Sequence, residues 1–246
     1  QTTNGFVFTE FLVPIRHAGI HNTLSCAAGH HVAEGRWLRE QRYLDDYILF
    51  WLRGGGGKPQ PHFHNYSSWL AAAVYERDQV HPDRAFVTGL LADLVADYEG
   101  WERERRLPNR LFWQYDVRDG MEESISGSRR EKNVRPTINS YMFGNAKAIA
   151  AIADLAGQAK LARAYNEKAT DLQRLVQDAL WDPEAKFFKV LHADGRWSDA
   201  REQIGFIPWF FHLPDRGKEE AWAQLLDPDG FRAPYGITTA ERRHPR

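Results

Sequence analysis

The sequence predicts an all-α chain of paired helical hairpins, and three observations carry that prediction. Apolar residues recur at three- and four-residue spacing through most of the 246 positions. Strand-like patterning is confined to one short stretch, Phe187–Leu191 with Trp197 beyond Asp194-Gly195. Helix start and stop residues (Asn22, Asn65, His81-Pro82-Asp83, Gly157) fall between the periodic stretches. Such an array closes into a toroid or extends as a solenoid.

The elements follow in chain order. Leu24–Leu38 is expected as a first helix with Asn22 as its cap. Tyr43, Leu44, Tyr47, Ile48 and Trp51 form the apolar stripe of a second, which Gly54–Gly57 ends. Asn65 is expected to cap a third through Trp69, Ala72, Ala73 and Glu76. After His81-Pro82-Asp83, Val87, Leu90, Leu91, Leu94, Tyr98 and Trp101 share one face of a fourth. Residues 107–137 then run without helical period; a loop of that length inside a domain is usually functional or disordered, and Phe112, Trp113 and Tyr115 speak against disorder. Ile138 to Ala156 and Leu161 to Ala179 make two long stripes joined at Gly157, an antiparallel hairpin. Phe187–Leu191, Asp194-Gly195 and Trp197 are expected to form a small β-hairpin, and shorter helices to follow near Gln203–Phe211 and Lys218–Leu226. The count is about eight helices.

Composition narrows the function classes. Hydrophobic residues at 43% and charged residues at 26% are ordinary for a globular chain. A net charge of −1 lacks the basic excess of a nucleic-acid binder. No apolar run approaches the roughly 20 residues of a membrane span. Cys26 is the single cysteine, which excludes an internal disulfide and a cysteine-based zinc site. Phosphate-binding and nucleophile-elbow motifs are absent. The chain opens at Gln1 without a signal-peptide pattern, and Asp229–Arg246 reads as a loop leading onward. Both ends suggest a processed or trimmed chain, and secreted or periplasmic placement is expected over cytoplasmic.

The chemistry is expected in the long loop. Asp116, Asp119, Glu122 and Glu123 lie within eight positions, among Phe112, Trp113, Gln114, Tyr115, Arg118, Arg129 and Arg130. Glycosidic cleavage needs one carboxylic acid beside the leaving oxygen and a second carboxylate for water or the sugar carbon. Aromatic rings stack on sugar faces, while amides and charged groups bind hydroxyls. The alternative is that these carboxylates pair with Arg118, Arg129 and Arg130 on a solvated surface. Histidines gather early, at positions 17, 21, 30, 31, 62 and 64. His17 and His21 have helical metal-pair spacing without the glutamate of such motifs, and His62 and His64 share one side of an extended segment. No metal site or cofactor is expected; His30 and His31 are read as sugar-facing or core-packed.

Four signals in order carry a resemblance. They are Gly120-Met121-Glu122-Glu123; the helix Asn139-Ser140-Tyr141-Met142-Phe143 running to Leu155-Ala156-Gly157; Leu180-Trp181-Asp182 ahead of Phe187 and Phe188; and Pro234-Tyr235-Gly236-Ile237-Thr238-Thr239. Over residues 112–239 the chain resembles the (α/α)6-barrel glycosidases of glycoside hydrolase family 63 and the mannosylglycerate hydrolase group. The resemblance implies an (α/α)6 toroid, incomplete in this chain, with a small β-hairpin on its rim. It implies one catalytic domain over residues 1–246 that lacks its C-terminal part. The implied activity is inverting, exo-acting hydrolysis of a terminal glucoside, mannoside or related sugar in an oligosaccharide or glycoside.

In that family the acid is the aspartate of a Gly-Met-Asp segment, and Glu122 holds its place here, with Asp119 and Glu123 as alternatives. The base is implied to lie beyond Arg246. Aromatic burial and neighbouring carboxylates are expected to raise the pKa of Glu122. Trp113 is expected to stack on the sugar, Gln114, Asp116, Arg118 and Asn139 to hold its hydroxyls, and Tyr235 to close the rim. Tyr141, His30 and His31 complete the expected binding set. Core packing is the alternative for Trp113 and Tyr235, and helix capping for Asn139. No membrane or nucleic-acid partner is expected, and no signal for oligomerisation is present. Two other functions stay open: a non-catalytic glycan-binding domain, and a sugar epimerase or polysaccharide lyase on a similar fold.

Overall fold

The computed structural model describes residues 5–246. Eight α-helices dominate the described residues, with short 3-10 turns and two two-stranded ribbons. Backbone packing divides the chain into two compact units. The first holds residues up to Glu104 and Gly144–Ala169; the second holds Arg105–Phe143 and Thr170–Arg246.

The first unit contains α1 (Ser25–Gly35), α2 (Arg42–Arg53), α3 (Leu70–Val80), α4 (Arg84–Gly89) and most of α5 (Leu91–Arg105). Helix α2 follows its stripe: Leu44, Tyr47, Ile48, Trp51 and Leu52 are all buried. Helix α1 packs closely on α3 and its approach. A Cβ on Gly29 would sit 2.7 Å from the Trp69 ring, so only glycine lets the two come this near.

Helix α3 starts later than the sequence suggests. Asn65 closes a 3-10 turn, Tyr66 is extended, and the helix begins at Leu70. Its first turn is served from a distance: Asn145 Oδ1 accepts from Ala72 N at 3.1 Å, and Asn145 Nδ2 donates to Ser68 O at 3.2 Å. Asp83 does cap α4, accepting from Phe86 N at 3.0 Å. The fourth expected helix is split at Leu90, yet its face is intact: Val87, Leu90, Leu91, Leu94, Tyr98 and Trp101 are buried.

Two long helices, α6 (Pro136–Leu155) and α7 (Ala159–Leu180), contribute to both units. Gly157 takes φ +71° between them. Gln158 N donates to Ala153 O at 2.8 Å, the six-to-one bond of a glycine-terminated helix.

The second unit departs furthest from expectation. Phe187–Phe188 (β2) pairs backwards with Trp181–Asp182 (β1), in register Trp181↔Phe188. Asp182 builds the turn, its Oδ1 accepting from Glu184 N at 2.9 Å and Ala185 N at 3.0 Å. The expected hairpin forms beyond it: Leu191 bridges Trp197 across the Gly195 turn, His192 N donates to Arg196 O at 2.9 Å and Ser198 N to Val190 O at 2.8 Å, and Leu191 also bridges Val134. Residues 203–206 and 219–225 are 3-10 turns, with α8 limited to Ile207–Phe210. Phe187, Ala221 and Phe231 form the local core beneath Trp181, Phe206, Trp209 and Leu225. A second ribbon, β3 (Arg232–Ala233) with β4 (Gly236–Ile237), turns through Pro234 and Tyr235.

Candidate active site

The carboxylate-rich loop lies in the second unit and is fastened along its length. Its entry is stitched into an irregular ladder. Arg106 bridges Phe112, Trp113 bridges Val134, and Val134 bridges Leu191. Asn139 on α6 secures the start. Its Oδ1 accepts from Phe112 N at 2.8 Å, and its Nδ2 donates to Phe112 O and Arg135 O, each at 2.8 Å. Those bonds occupy the buried amide. Gln114 is also buried, with Oε1 accepting from Tyr115 N at 3.1 Å. Trp113 is buried beneath two cations, Arg105 at 4.6 Å and Lys132 at 4.8 Å, with Tyr115 edge-on to it.

A tight turn follows. Asp116 is buried, and its Oδ1 accepts from Val117 N at 2.6 Å at the head of a 3-10 turn over Val117–Asp119. Gly120 leaves that turn at φ +76° with open space around it. Asp119 points inward. Its Oδ2 accepts from Arg135 Nε at 2.8 Å, and both side chains are 0% exposed. Past the turn, Ser124, Ile125 and Ser126 close on Glu202. Its carboxylate accepts from Ser124 Oγ at 2.9 Å, Ile125 N at 2.9 Å, Ser126 N at 3.1 Å and the Ser126 hydroxyl. Arg135 Nη2 reaches Ser124 Oγ at 3.4 Å, which links the two fastenings.

Between the fastenings stand Glu122 and Glu123, both exposed. This differs from the aromatic burial expected for Glu122: the aromatic residues before the turn pack into the ladder, and the acidic pair projects from it. Arg129 donates to the backbone carbonyl of Glu122 at 3.4 Å and not to its carboxylate. Arg118 is half-buried in the turn. Tyr141 is buried with its ring edge-on to Phe211, and Tyr235 is fully exposed at the tip of the β3–β4 ribbon.

His30 and His31 belong to the first unit. His30 lies edge-on to Trp69 at 5.3 Å, and lost hydration holds its pKa below the usual imidazole value despite the opposing charge of Glu34. His31 bonds the Tyr47 hydroxyl at 3.0 Å and pairs with Glu10 at 3.1 Å. His62 adopts φ +71°, while both nitrogens of His64 are engaged by Asp97 and Glu104. Among the described residues, no group of three or more His, Cys, Asp or Glu side chains could hold a metal ion.

Sequence reasoning missed Arg135, Ser124, Ser126 and Glu202. Ser124 and Ser126 follow the acidic pair directly and were legible as a polar repeat. Glu202 lies 76 residues beyond Ser126 and carried no local signal.

Comparison with known proteins bears on this arrangement. Residues 20–246 match the family described as the mannosylglycerate hydrolase MGH1-like glycoside hydrolase domain. A solved sialidase is 47% identical, with a TM-score of 0.97 over 100% of this chain and 23% of its own. The GH63 mannosylglycerate hydrolase of Thermus thermophilus in complex with glucose is 16% identical. Its TM-score is 0.73, over 89% of this chain and 72% of its own. The neutral trehalase of Saccharomyces cerevisiae is 11% identical, with a TM-score of 0.73 over 92% of this chain and 56% of its own. No curated protein matches. The fold is that of the (α/α)6 glycosidases. No helix of the described residues is long and apolar enough to cross a membrane.

Proposed function

The chain belongs to the mannosylglycerate hydrolase MGH1-like glycoside hydrolase family, and from that premise we propose that it bears the acid of an inverting exo-glycosidase. The substrate we infer is a terminal glucoside, mannoside or related sugar. One observation carries the reading: Glu122 and Glu123 are exposed on a loop held at both ends, by Asp119–Arg135 before them and Glu202 after them. A general acid must reach the substrate and must also be fixed in place. An unpinned surface carboxylate meets only the first condition.

Glu122 protonates the leaving oxygen in this scheme. A second carboxylate, which the family resemblance puts C-terminal to Arg246, activates water about 6.5–9.5 Å away across the sugar. Asp119 anchors the loop and takes no proton-transfer role. Arg118 and Tyr235 contact the sugar. Asn139 holds the start of the loop, and Trp113, Gln114 and Asp116 shape its path. The sialidase match gives no reason to propose sialic acid cleavage, because this chain spans 23% of that protein.

The test is turnover of aryl glucosides, aryl mannosides, mannosylglycerate and trehalose by the full-length protein, with the product anomer read by NMR. Glu122→Gln is expected to lower kcat by about 10²–10⁴-fold, the usual worth of a positioned acid, with Glu123→Gln near wild type. Loss in Glu123→Gln alone would transfer the role to Glu123. Binding of these sugars without turnover by the wild-type protein would overturn the hydrolase reading in favour of a glycan-binding domain.

A further inference from the structure

The geometry points to Glu202 as the positioning residue of the acid loop, an inference that rests on the glycosidase reading. Glu202 is buried, and each bond to its carboxylate comes from one of three consecutive residues, Ser124, Ile125 and Ser126. Ser124 follows the Glu122-Glu123 pair directly. Two of the bonds come from backbone amides, so they fix the path of the chain and not merely two side chains.

The same residue is tied to the second motif loop. Glu202 forms an antiparallel bridge with Ala240, and Gln203 N donates to Thr239 O at 2.8 Å. Glu202 therefore joins the acid loop to the Pro234–Thr239 segment, the two stretches singled out independently in the sequence. Among the described residues its carboxylate pairs with no Lys, Arg or His. Burying a carboxylate against neutral donors is costly, and a loop needing only closure is served as well by an apolar side chain. What the carboxylate adds is direction. It accepts several bonds at once and holds Ile125 N on one oxygen and Ser126 N on the other, which fixes the chain just after the acidic pair. Arg135 performs the matching task upstream, where it holds Asp119 and reaches Ser124.

The test substitutes Glu202→Gln, which keeps the shape but turns an NH2 group toward the loop donors. In the full-length protein, kcat is expected to fall about tenfold or more with KM nearly unchanged, because misplacing an acid by about 1 Å costs up to 10²-fold. Hydrogen exchange at Ile125 and Ser126 is expected to accelerate, with the Val134–Leu191 rung still protected. Glu202→Asp, which keeps the charge on a shorter stem, is expected to recover part of kcat. If Glu202→Gln does not fold, the Ser124→Ala/Ser126→Ala double variant removes the hydroxyl donors while keeping Glu202, and the same loss of kcat is expected. Unchanged kcat overturns the inference, whether exchange at Ile125 and Ser126 rises or not. A wild-type protein that turns over no glycoside sinks the glycosidase reading instead. Exchange then decides the clamp alone: local acceleration in Glu202→Gln supports it, and an unchanged rate removes it.

Discussion

Arg135 and Asp119 are an ion pair from which water is wholly excluded. Removing one partner of such a pair leaves a buried charge uncompensated, which costs about 3–5 kcal/mol. Arg135→Met is therefore expected to lower the unfolding midpoint by several degrees in a thermal melt, and adding Asp119→Leu to recover much of the loss. An equal loss in single and double variants would show that the pair is not coupled. Asn139 tells a similar story: its position invited a sugar contact or a cap, yet its amide is spent on Phe112 and Arg135. At this scale the sequence revealed residue types and not their partners. Asp119 and Arg135 are 16 apart and Ser126 and Glu202 are 76 apart, and no periodicity relates residues joined only by the path of the fold.

Among the elements, helix α3 shows how a start signal is displaced. Asn65 carries cap chemistry, but the chain enters an extended stretch after it, and Asn145 supplies the hydrogen bonds near the helix start. Asn145→Ala is expected to destabilise the protein by about 1–2 kcal/mol, the range of a lost cap, while Asn65→Ala changes stability little. Denaturant midpoints with unchanged slopes would measure both, and the reverse ranking would return the cap to Asn65. By contrast Asp83 and Gly157 act where their local pattern puts them, because a three-residue cap bond and a left-handed turn are short-range events. The stretch after α7 divides its strand character between two short pairings, the expected one of Leu191 with Trp197 and a further one of Phe187–Phe188 with Trp181–Asp182. Phe187 and Phe188 have strand character in either pairing, and only the turn built by Asp182 selects Trp181–Asp182 as the partner.

For the molecule as a whole, one pH dependence is expected from His64, held between two carboxylates in the first unit. His64 Nε2 lies 2.8 Å from Asp97 and Nδ1 2.9 Å from Glu104, with Trp101 beside the ring. Gly100 admits it, since a Cβ there would collide with the imidazole. Burial alone pushes the His64 pKa down, but the bonds and charges of Asp97 and Glu104 outweigh it and raise it above 6.5. A raised folded pKa means stability that is fully present below the unfolded value. That stability is lost as pH rises through the folded value. The wild-type unfolding midpoint is thus expected to fall above about pH 6.5, and His64→Gln to flatten that fall. A parallel profile in both proteins would assign the dependence elsewhere.

Sequence by itself determined the helical class, the two long helices, the stripes of α2 and α5 and the loop that interrupts them. Each of these follows from interactions a few residues apart, repeated often enough to leave a period. It also brought the acidic loop and the Pro234–Thr239 segment into view as motifs. Tertiary structure alone decided which acidic residues are spent on holding the loop and which stand in solvent. That division depends on burial and on donors arriving from distant positions, Arg135 for Asp119 and Ser124 to Ser126 for Glu202. A carboxylate's chemistry is written in its residue type, but its employment is set by the partners the fold delivers to it.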